Sequence, residues 1–403
     1  MPAAPVPTFE PPVYYPTNPP NMATPAVDIA GGDFDEDGDI DLLVRNFDSS
    51  FGGGFFTLLT NNGNGSFGAP VRVGGQSANG GVLAVADVNG DGHLDFVTAL
   101  NNPADYSMPN IGQSAIRIFL GNGAGSFTSG GGYQNPGIGG ALLLGDLNGD
   151  GGIDLITTKR QYSDPYTSQV LVSVRLGAAG GTFGAEIKQV VPEHTGVASG
   201  NFNGDSFLDL VLTTATGYSV LLGNGDGTFN TTSAVIGGGA SKVVVGDFNG
   251  DGISDLAMGT GTSISILTGN GSGAFTTAQT LAAGGALWAI KAGDMNGDGT
   301  VDIVSVNLPA NGSARTSLFV NNGNASFQPR TPLFDSGIYD VELLDLNGGG
   351  ALDIAALAPS QGGRTPGVIV ALQPDHVTRP FTPDDFDGDG KSDILWRHDD
   401  GRS

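Results

Sequence analysis

The 403-residue chain contains no cysteine, which excludes a disulfide framework, thiol nucleophiles and soft thiolate metal sites. Basic residues are scarce: 16 Lys and Arg stand against 41 Asp and Glu, for a formal net charge of −25. That balance argues against nucleic acid as a partner, because phosphate binding needs a basic face, and against an anionic membrane surface for the same reason. No apolar run approaches the length of a membrane span, so insertion into a bilayer is not expected. The four histidines (His93, His194, His376 and His398) are far apart in sequence, and no G-x-S-x-G, H-E-x-x-H or phosphate loop appears. A ready-made catalytic constellation is therefore missing. Met1 is followed directly by a proline-rich stretch, Pro2 to Pro20, which reads as a mature domain whose leader has been removed.

What the chain has in excess is glycine, 68 residues, and an acidic loop of the form D-x-[DN]-x-D-G-x-x-D that recurs eight times just before an apolar run. The copies start at Asp33, Asp87, Asp146, Asn201, Asp247, Asp294, Asp345 and Asp385, and their ligand positions hold more than half of all the acidic residues. Oxygen donors at positions 1, 3 and 5 converge because glycine at position 6 lets the backbone turn sharply. The backbone carbonyl of position 7 and the carboxylate of position 9 then close the cage. Six to eight hard oxygens suit calcium. An EF-hand does not fit, since Thr98 occupies position 12 of the second loop and strand-like residues follow. A tight turn alone gives no reason for aspartate at position 9 in every copy.

The loops differ in what they offer. The first supplies Asp33, Asp35, Asp37, the Asp39 carbonyl and Asp41; the second Asp87, Asn89, Asp91, the His93 carbonyl and Asp95. The third supplies Asp146, Asn148, Asp150, the Gly152 carbonyl and Asp154; the fifth Asp247, Asn249, Asp251, the Ile253 carbonyl and Asp255. The sixth has Asp294, Asn296, Asp298, the Thr300 carbonyl and Asp302; the eighth Asp385, Asp387, Asp389, the Lys391 carbonyl and Asp393. The fourth keeps Asn203, Asp205 and Asp209 but has neutral Asn201 first and Ser206 in place of glycine, so weaker binding is expected. The seventh has Gly349 at position 5, and little or no binding is expected there.

Successive loops start 40 to 59 residues apart, the period of a β-propeller blade. Within each period an apolar strand A enters the acidic loop and a strand B leaves it. Strand C follows a variable connection, and a Gly/Asn turn such as Gly121 to Phe127 leads to an outer strand D. The expected fold is all-β, a seven-bladed propeller of four-stranded antiparallel blades over residues 1–376. Only 12 residues separate Leu372 from Asp385, too few for a strand D and a further strand A. The segment Thr8 to Tyr15 resembles Ser66 to Val73, itself a strand D, and is expected to complete the last blade and close the ring; Pro11 and Pro12 suit an outermost strand. Residues 377–403 then read as the truncated start of a further calcium-loop repeat. The alternative is an eight-bladed ring with its last blade split between the termini.

Because strands in a blade alternate in direction, A–B loops share one face, and B–C and D–A connections share the other. The B–C connections of blades 1 to 3 are long (Asn46 to Phe55, Asn101 to Ala115, Lys159 to Gln169) and carry Phe51, Tyr106, Lys159, Arg160, Tyr162 and Tyr166 as candidate ligand-binding residues.

The sequence Asp-x-Asn-Gly-Asp-Gly-x-x-Asp followed by a strand and a Gly-rich hairpin resembles the FG-GAP, or VCBS, repeat, over about residues 8 to 372. That repeat builds the propeller of integrin α subunits and of many secreted bacterial proteins, and the resemblance implies a calcium ion in the A–B loop. Extracellular loops of this kind bind calcium weakly, with dissociation constants of about 10⁻⁴ to 10⁻³ M, so a location outside the cell is expected. The function expected is a non-catalytic adhesion or recognition module for a glycan or protein ligand. A structural spacer within a larger surface protein is another reading. Some polysaccharide lyases use related propellers, and Tyr162 with Lys159 and Arg160 is the cluster that such an enzyme would use.

Overall fold

Seven four-stranded antiparallel sheets follow one another along the computed structural model. It describes residues 5–18, 24–48, 53–78, 82–100, 115–134, 138–164, 167–178, 180–237, 240–309, 315–335, 337–358 and 365–374. No helix occurs among them. Blade 2 shows the plan: strands A (Val82–Ala86), B (Asp95–Leu100), C (Ala115–Gly121) and D (Phe127–Gln134) pair in sequence order. The A strands of successive blades touch one another, and that of blade 1 (Ala26–Gly32) meets that of blade 7 (Val341–Leu344), so the A strands surround the central axis.

Burial follows position in the blade. Strand A of blade 2 and strand B of blade 7 (Asp353–Ala358) are buried throughout, whereas strand D of blade 2 has no buried residue. This is why the inner strands read as continuous apolar runs: neighbouring blades cover both of their faces. The core is accordingly divided among the blade interfaces. Between blades 1 and 2, Phe96 stacks on Phe119 at 4.5 Å while Phe56 lies tilted on Phe96 at 4.7 Å, and Phe56 and Phe96 are completely buried.

The ring closes through the N-terminus. Val13–Pro16 pairs antiparallel with strand C of blade 7 (Gly367–Ala371), Val13 opposite Val370 and Pro16 opposite Gly367. The Glu10 N–H donates to the Leu372 carbonyl at 2.8 Å. Tyr15 reaches blade 1, its ring edge-on to Phe67 at 5.2 Å, and Phe9 and Tyr14 pack on the core between blades 6 and 7. The exposed prolines 11 and 12 sit where no partner strand needs their missing N–H. The fold is a seven-bladed propeller, so the eight-bladed alternative is set aside: blade 7 already has its fourth strand. Residues 377–403, with the loop at Asp385, lie outside the described residues.

Two connections expected as loops are partly strand. In blade 3, strand B (Asp154–Asp164) and strand C (Thr167–Arg175) stay paired out to Asp164 opposite Thr167, so Lys159, Arg160 and Tyr162 lie on a strand. In blade 1, pairing runs to Asp48 opposite Gly53, which places Asn46 and Phe55 opposite each other in the sheet. The polar residues of both stretches occupy paired positions of a hairpin, where a loop is expected from the sequence.

Candidate functional site

Seven acidic loops line the face onto which A–B and C–D turns open, and their own hydrogen bonds hold them closed. In the second loop, Asp87 Oδ1 accepts the Gly90 N–H at 2.7 Å, and its Oδ2 accepts the Gly92 N–H at 2.8 Å. Asn89 Oδ1 accepts the Asp91 N–H, and Asp91 Oδ1 accepts the His93 N–H. The third and fifth loops repeat these bonds around Asp146 and Asp247, and in the sixth the Asp298 and Gly299 N–H groups donate to Asp294. Gly90 and Gly92 have φ of 74° and 89°, the left-handed values that bring position 1 over the N–H groups of the turn. In the first loop Glu36 holds the equivalent of Gly90 at φ 59°, and its carboxylate meets the imidazole of His93 on the neighbouring loop.

Position 9 has a separate task. Its carboxylate is completely buried in all seven loops: Asp41, Asp95, Asp154, Asp209, Asp255, Asp302 and Asp353. In each, one oxygen accepts the N–H of position 2 and the other accepts an N–H at the end of strand C or just beyond it. For Asp95 these donors are Val88 at 3.0 Å and Gly121 at 2.8 Å; for Asp353 they are Leu346 at 2.9 Å and Gln373 at 2.6 Å. The aspartate staples the A–B loop to the C–D turn. This supplies the structural reason for its recurrence that turn chemistry did not offer, and it holds even where Gly349 replaces the position 5 carboxylate. Burial pushes these carboxyls up, Asp95 and Asp255 to about 6 and Asp41, Asp302 and Asp353 to about 7.

The loops also tie blade to blade. The carbonyl of position 2 accepts from the next blade's C–D turn: Phe34 from the Gly125 N–H, Phe202 from Gly273, and Phe248 from Ala325. Side-chain amides add to this, as Asn61 donates to the Leu346 carbonyl at 2.7 Å, Asn321 to Phe248 at 2.8 Å and Gln373 to Met295 at 2.7 Å. Sequence reading missed these three residues, although each directly follows or nearly follows a strand C.

For a cation, the first loop is the richest. Carboxylate oxygens of Asp33, Asp35 and Asp37 lie within 4.8 Å of one another, and the buried Asp35 Oδ1 has no hydrogen-bond partner. Burial and then mutual repulsion raise the pKa of Asp35; burial also leads the rise at Asp33. Three hard oxygens facing each other, one without a donor, fit a hard divalent cation. The fourth loop is built differently. Ser206 is not left-handed, and Asn201 turns its amide onto the Asp205 carbonyl while its Oδ1 accepts from Gly204. In the seventh, Asp345 still accepts the Gly349 and Gly350 N–H groups, but Asn347 donates to the Gln373 carbonyl.

Of the residues proposed on the opposite face, Lys159 is not available to a ligand. Its side chain is wholly buried and its ammonium is paired with Glu186, which Ser173 and Lys188 also contact. Burial lowers the Lys159 pKa; for Glu186 burial acts upward, but hydrogen bonds from Lys159, Ser173 and Lys188 outweigh it and bring the value to about 2. Arg160 is bonded to Glu193. Tyr162 stands opposite Ser168 in the sheet. Phe51, Tyr106 and Tyr166 lie outside the described residues.

The family model of the FG-GAP-like repeat matches residues 16–98, 201–258 and 247–305. No curated protein matches the chain in sequence. Among solved structures, a lectin of Agrocybe aegerita that recognises non-reducing terminal N-acetylglucosamine aligns with a TM-score of 0.54 at 20% identity, over 78% of this chain and 82% of that one. BBS1N, solved in complex with ARL6DN, aligns with a TM-score of 0.53 at 10% identity, over 93% of this chain and 99% of that one. At these identities the likeness is one of fold. Taken with the stapled acidic loops and the seven-bladed ring, the repeat match makes this chain an FG-GAP repeat β-propeller.

Proposed function

We propose that the protein is a non-catalytic recognition module that works outside the cell, stabilised by calcium on one face and binding a glycan or protein ligand on the other. The observation that carries this reading is the threefold anchoring of the acidic loops. Each is bonded to itself through position 1 and to its own strand C through position 9, and most are bonded to the next blade through position 2. Ions held there would brace the ring, which leaves ligand contact to the B–C and D–A face. Asp33, Asp35 and Asp37 would hold the ion of the first loop, with Asp87, Asn89 and Asp91 and their equivalents from Asp146, Asp247 and Asp294 in the others. A bound divalent cation supplies charge neutralisation to carboxylates that otherwise repel.

The same fold carries glycan recognition in the Agrocybe lectin and a protein partner in the BBS1N complex, which supports recognition as its use here. The lyase reading loses one member of its cluster, since Lys159 is enclosed with Glu186 inside the blade. Glycan and protein arrays run with calcium and with chelator test the proposal. Ligand capture that is lost on chelation is expected; an array without any captured ligand would refute the recognition role.

A further inference from the structure

Six blades join strand C to strand D through continuous chain, whereas blade 7 takes its strand D from the N-terminal segment. The ring therefore has one seam, and the sixth acidic loop sits against it. On one side Asn296, position 3 of that loop, donates its Nδ2–H to the Pro5 carbonyl at 3.2 Å. On the other side Gln373, just after strand C of blade 7, donates at 2.7 Å to the carbonyl of Met295, position 2 of the same loop. Among the described residues, no other acidic loop is hydrogen-bonded to the chain on both sides of the seam. From Pro5 the segment runs along blade 7, with Pro7 buried and the Glu10 N–H on the Leu372 carbonyl. It reaches blade 1 where Thr17 Oγ1 donates to Asn46 Oδ1 at 3.0 Å.

The seam also lacks bonds that a continuous turn supplies. Asn61 and Asn321 hold the place of Gln373 in blades 1 and 6. The N–H of each donates to a position 9 aspartate, and the side-chain amide crosses to the loop of the preceding blade. Their Oδ1 atoms accept N–H groups of the C–D turn, Gly63 and Gly65 in one blade and Gly323 in the other. That turn in blade 6 also sends the Ala325 N–H to the Phe248 carbonyl. At the seam Gln373 Oε1 is buried without a donor, and the chain meets the sixth loop at position 3, through Pro5.

Asparagine suits that position because its amide offers an acceptor and two donor hydrogens. Asn296 Oδ1 accepts the Asp298 N–H, while Nδ2 donates to both Asp298 Oδ2 and Pro5. An Oδ1 drawn onto a cation polarises the amide and strengthens the bond from Nδ2 to Pro5. We propose that the sixth acidic loop is the latch of the seam: a divalent cation held by Asp294, Asn296 and Asp298 tightens the N-terminal segment onto the ring. By linkage, the docked segment raises the cation affinity of this one loop by the same factor. This rests on the calcium reading above and gives one of its sites a regulatory role.

Hydrogen exchange read by mass spectrometry, with calcium in excess, tests the latch. The reporter is the peptide that carries the Glu10 amide and the strand Val13–Pro16. Asp298→Asn, which removes a carboxylate of the sixth loop, should speed exchange of that peptide several-fold over the parent. Asn296→Asp, which leaves no N–H for Pro5, should do the same. Asp91→Asn, the matched change in the second loop, should leave the reporter at the parent's rate. In the reciprocal arm, a variant lacking residues 1–7 keeps all the acidic loops, and its calorimetric calcium isotherm should show one loop weakened several-fold. Reporter exchange equal to the parent's in both sixth-loop variants, equal acceleration by Asp91→Asn, or an isotherm unaltered by the deletion would overturn the latch. Each of these leaves the calcium reading standing, because the parent still binds the ion; a parent isotherm without binding would overturn both.

Discussion

Removing calcium should cost the ring a large part of its stability, and the size of that cost can be worked out loop by loop. Five described loops keep every side-chain donor, starting at Asp33, Asp87, Asp146, Asp247 and Asp294. For a ligand that binds only the folded state, the stabilisation is RT ln(1 + [L]/Kd). With a Kd of about 10⁻⁴ to 10⁻³ M and about 10 mM calcium, each loop gains about 1.4 to 2.7 kcal/mol. Five loops that release their ions together would contribute about 7 to 14 kcal/mol, as much as the whole stability of an ordinary domain. Release together is expected because position 2 carbonyls bond across blade boundaries, so a loop cannot open without disturbing a neighbour. Calorimetric unfolding in calcium and in chelator gives the total. The Asp91→Asn variant gives the share of one loop: it should reduce the calcium-dependent gain by about 1.4 to 2.7 kcal/mol and leave the chelated protein nearly unchanged. Asp345→Asn, in the loop that lacks a position 5 carboxylate, should leave the calcium gain intact. A melting curve indifferent to chelator, or an equal effect of the two substitutions on the calcium gain, would refute the reasoning.

Three further outcomes follow from the same geometry. Without metal, the position 9 carboxyls bind protons more tightly folded than unfolded, with values of about 6 to 7 at Asp41, Asp95, Asp255, Asp302 and Asp353. Stability in chelator should therefore be highest below about pH 4 as far as these groups are concerned and fall as pH rises to about 7; saturating calcium should flatten or reverse that slope, as a melting series from pH 5 to 8 would show. Tyr15→Ala removes a half-buried ring that is edge-on to Phe67, and should cost about 2 kcal/mol by denaturant unfolding; no cost would mean that the N-terminal strand does not close the ring. Asn321→Ala removes one of the two donors to the buried Phe248 carbonyl, which keeps the Ala325 N–H across the blade boundary, and the side-chain donor to the half-buried Val301 carbonyl, and should cost about 1 to 3 kcal/mol in the same assay, with a negligible loss counting against loop-mediated blade coupling.

The legible parts of this molecule are those in which the cause is local in sequence. Alternating donors, the glycines at φ 74° and 89° and the apolar run that follows lie within one short segment, so the acidic loop and strand B could be read directly. Ring closure was legible through chain length and through Pro11 and Pro12. Lys159 was misplaced because what encloses it, Glu186, belongs to a later turn of the blade, and a buried lysine on a strand looks in sequence like one on a loop. A stack of Trp288 on Tyr339 was hidden for a similar reason: its two rings come from neighbouring blades.

The motif itself superimposes two signals, and the chain separates them. Position 9, and with it the capture of the turn beyond strand C, is kept in all seven described loops, including those at Asn201 and Asp345. Positions 1, 5 and 6 are altered in just those two loops, position 1 to Asn201 and position 6 to Ser206 in one, where Ser206 leaves the left-handed region, and position 5 to Gly349 in the other, where Asn347 donates to the Gln373 carbonyl. A site kept only for the cation would lose position 9 together with its other donors; a turn kept only for the fold has no need of three facing carboxylates at Asp33, Asp35 and Asp37. The staple is thus a property of the blade, and cation affinity is a property added to individual blades. Substituting positions 1 or 5 should therefore act through calcium, and substituting position 9 should act with or without it.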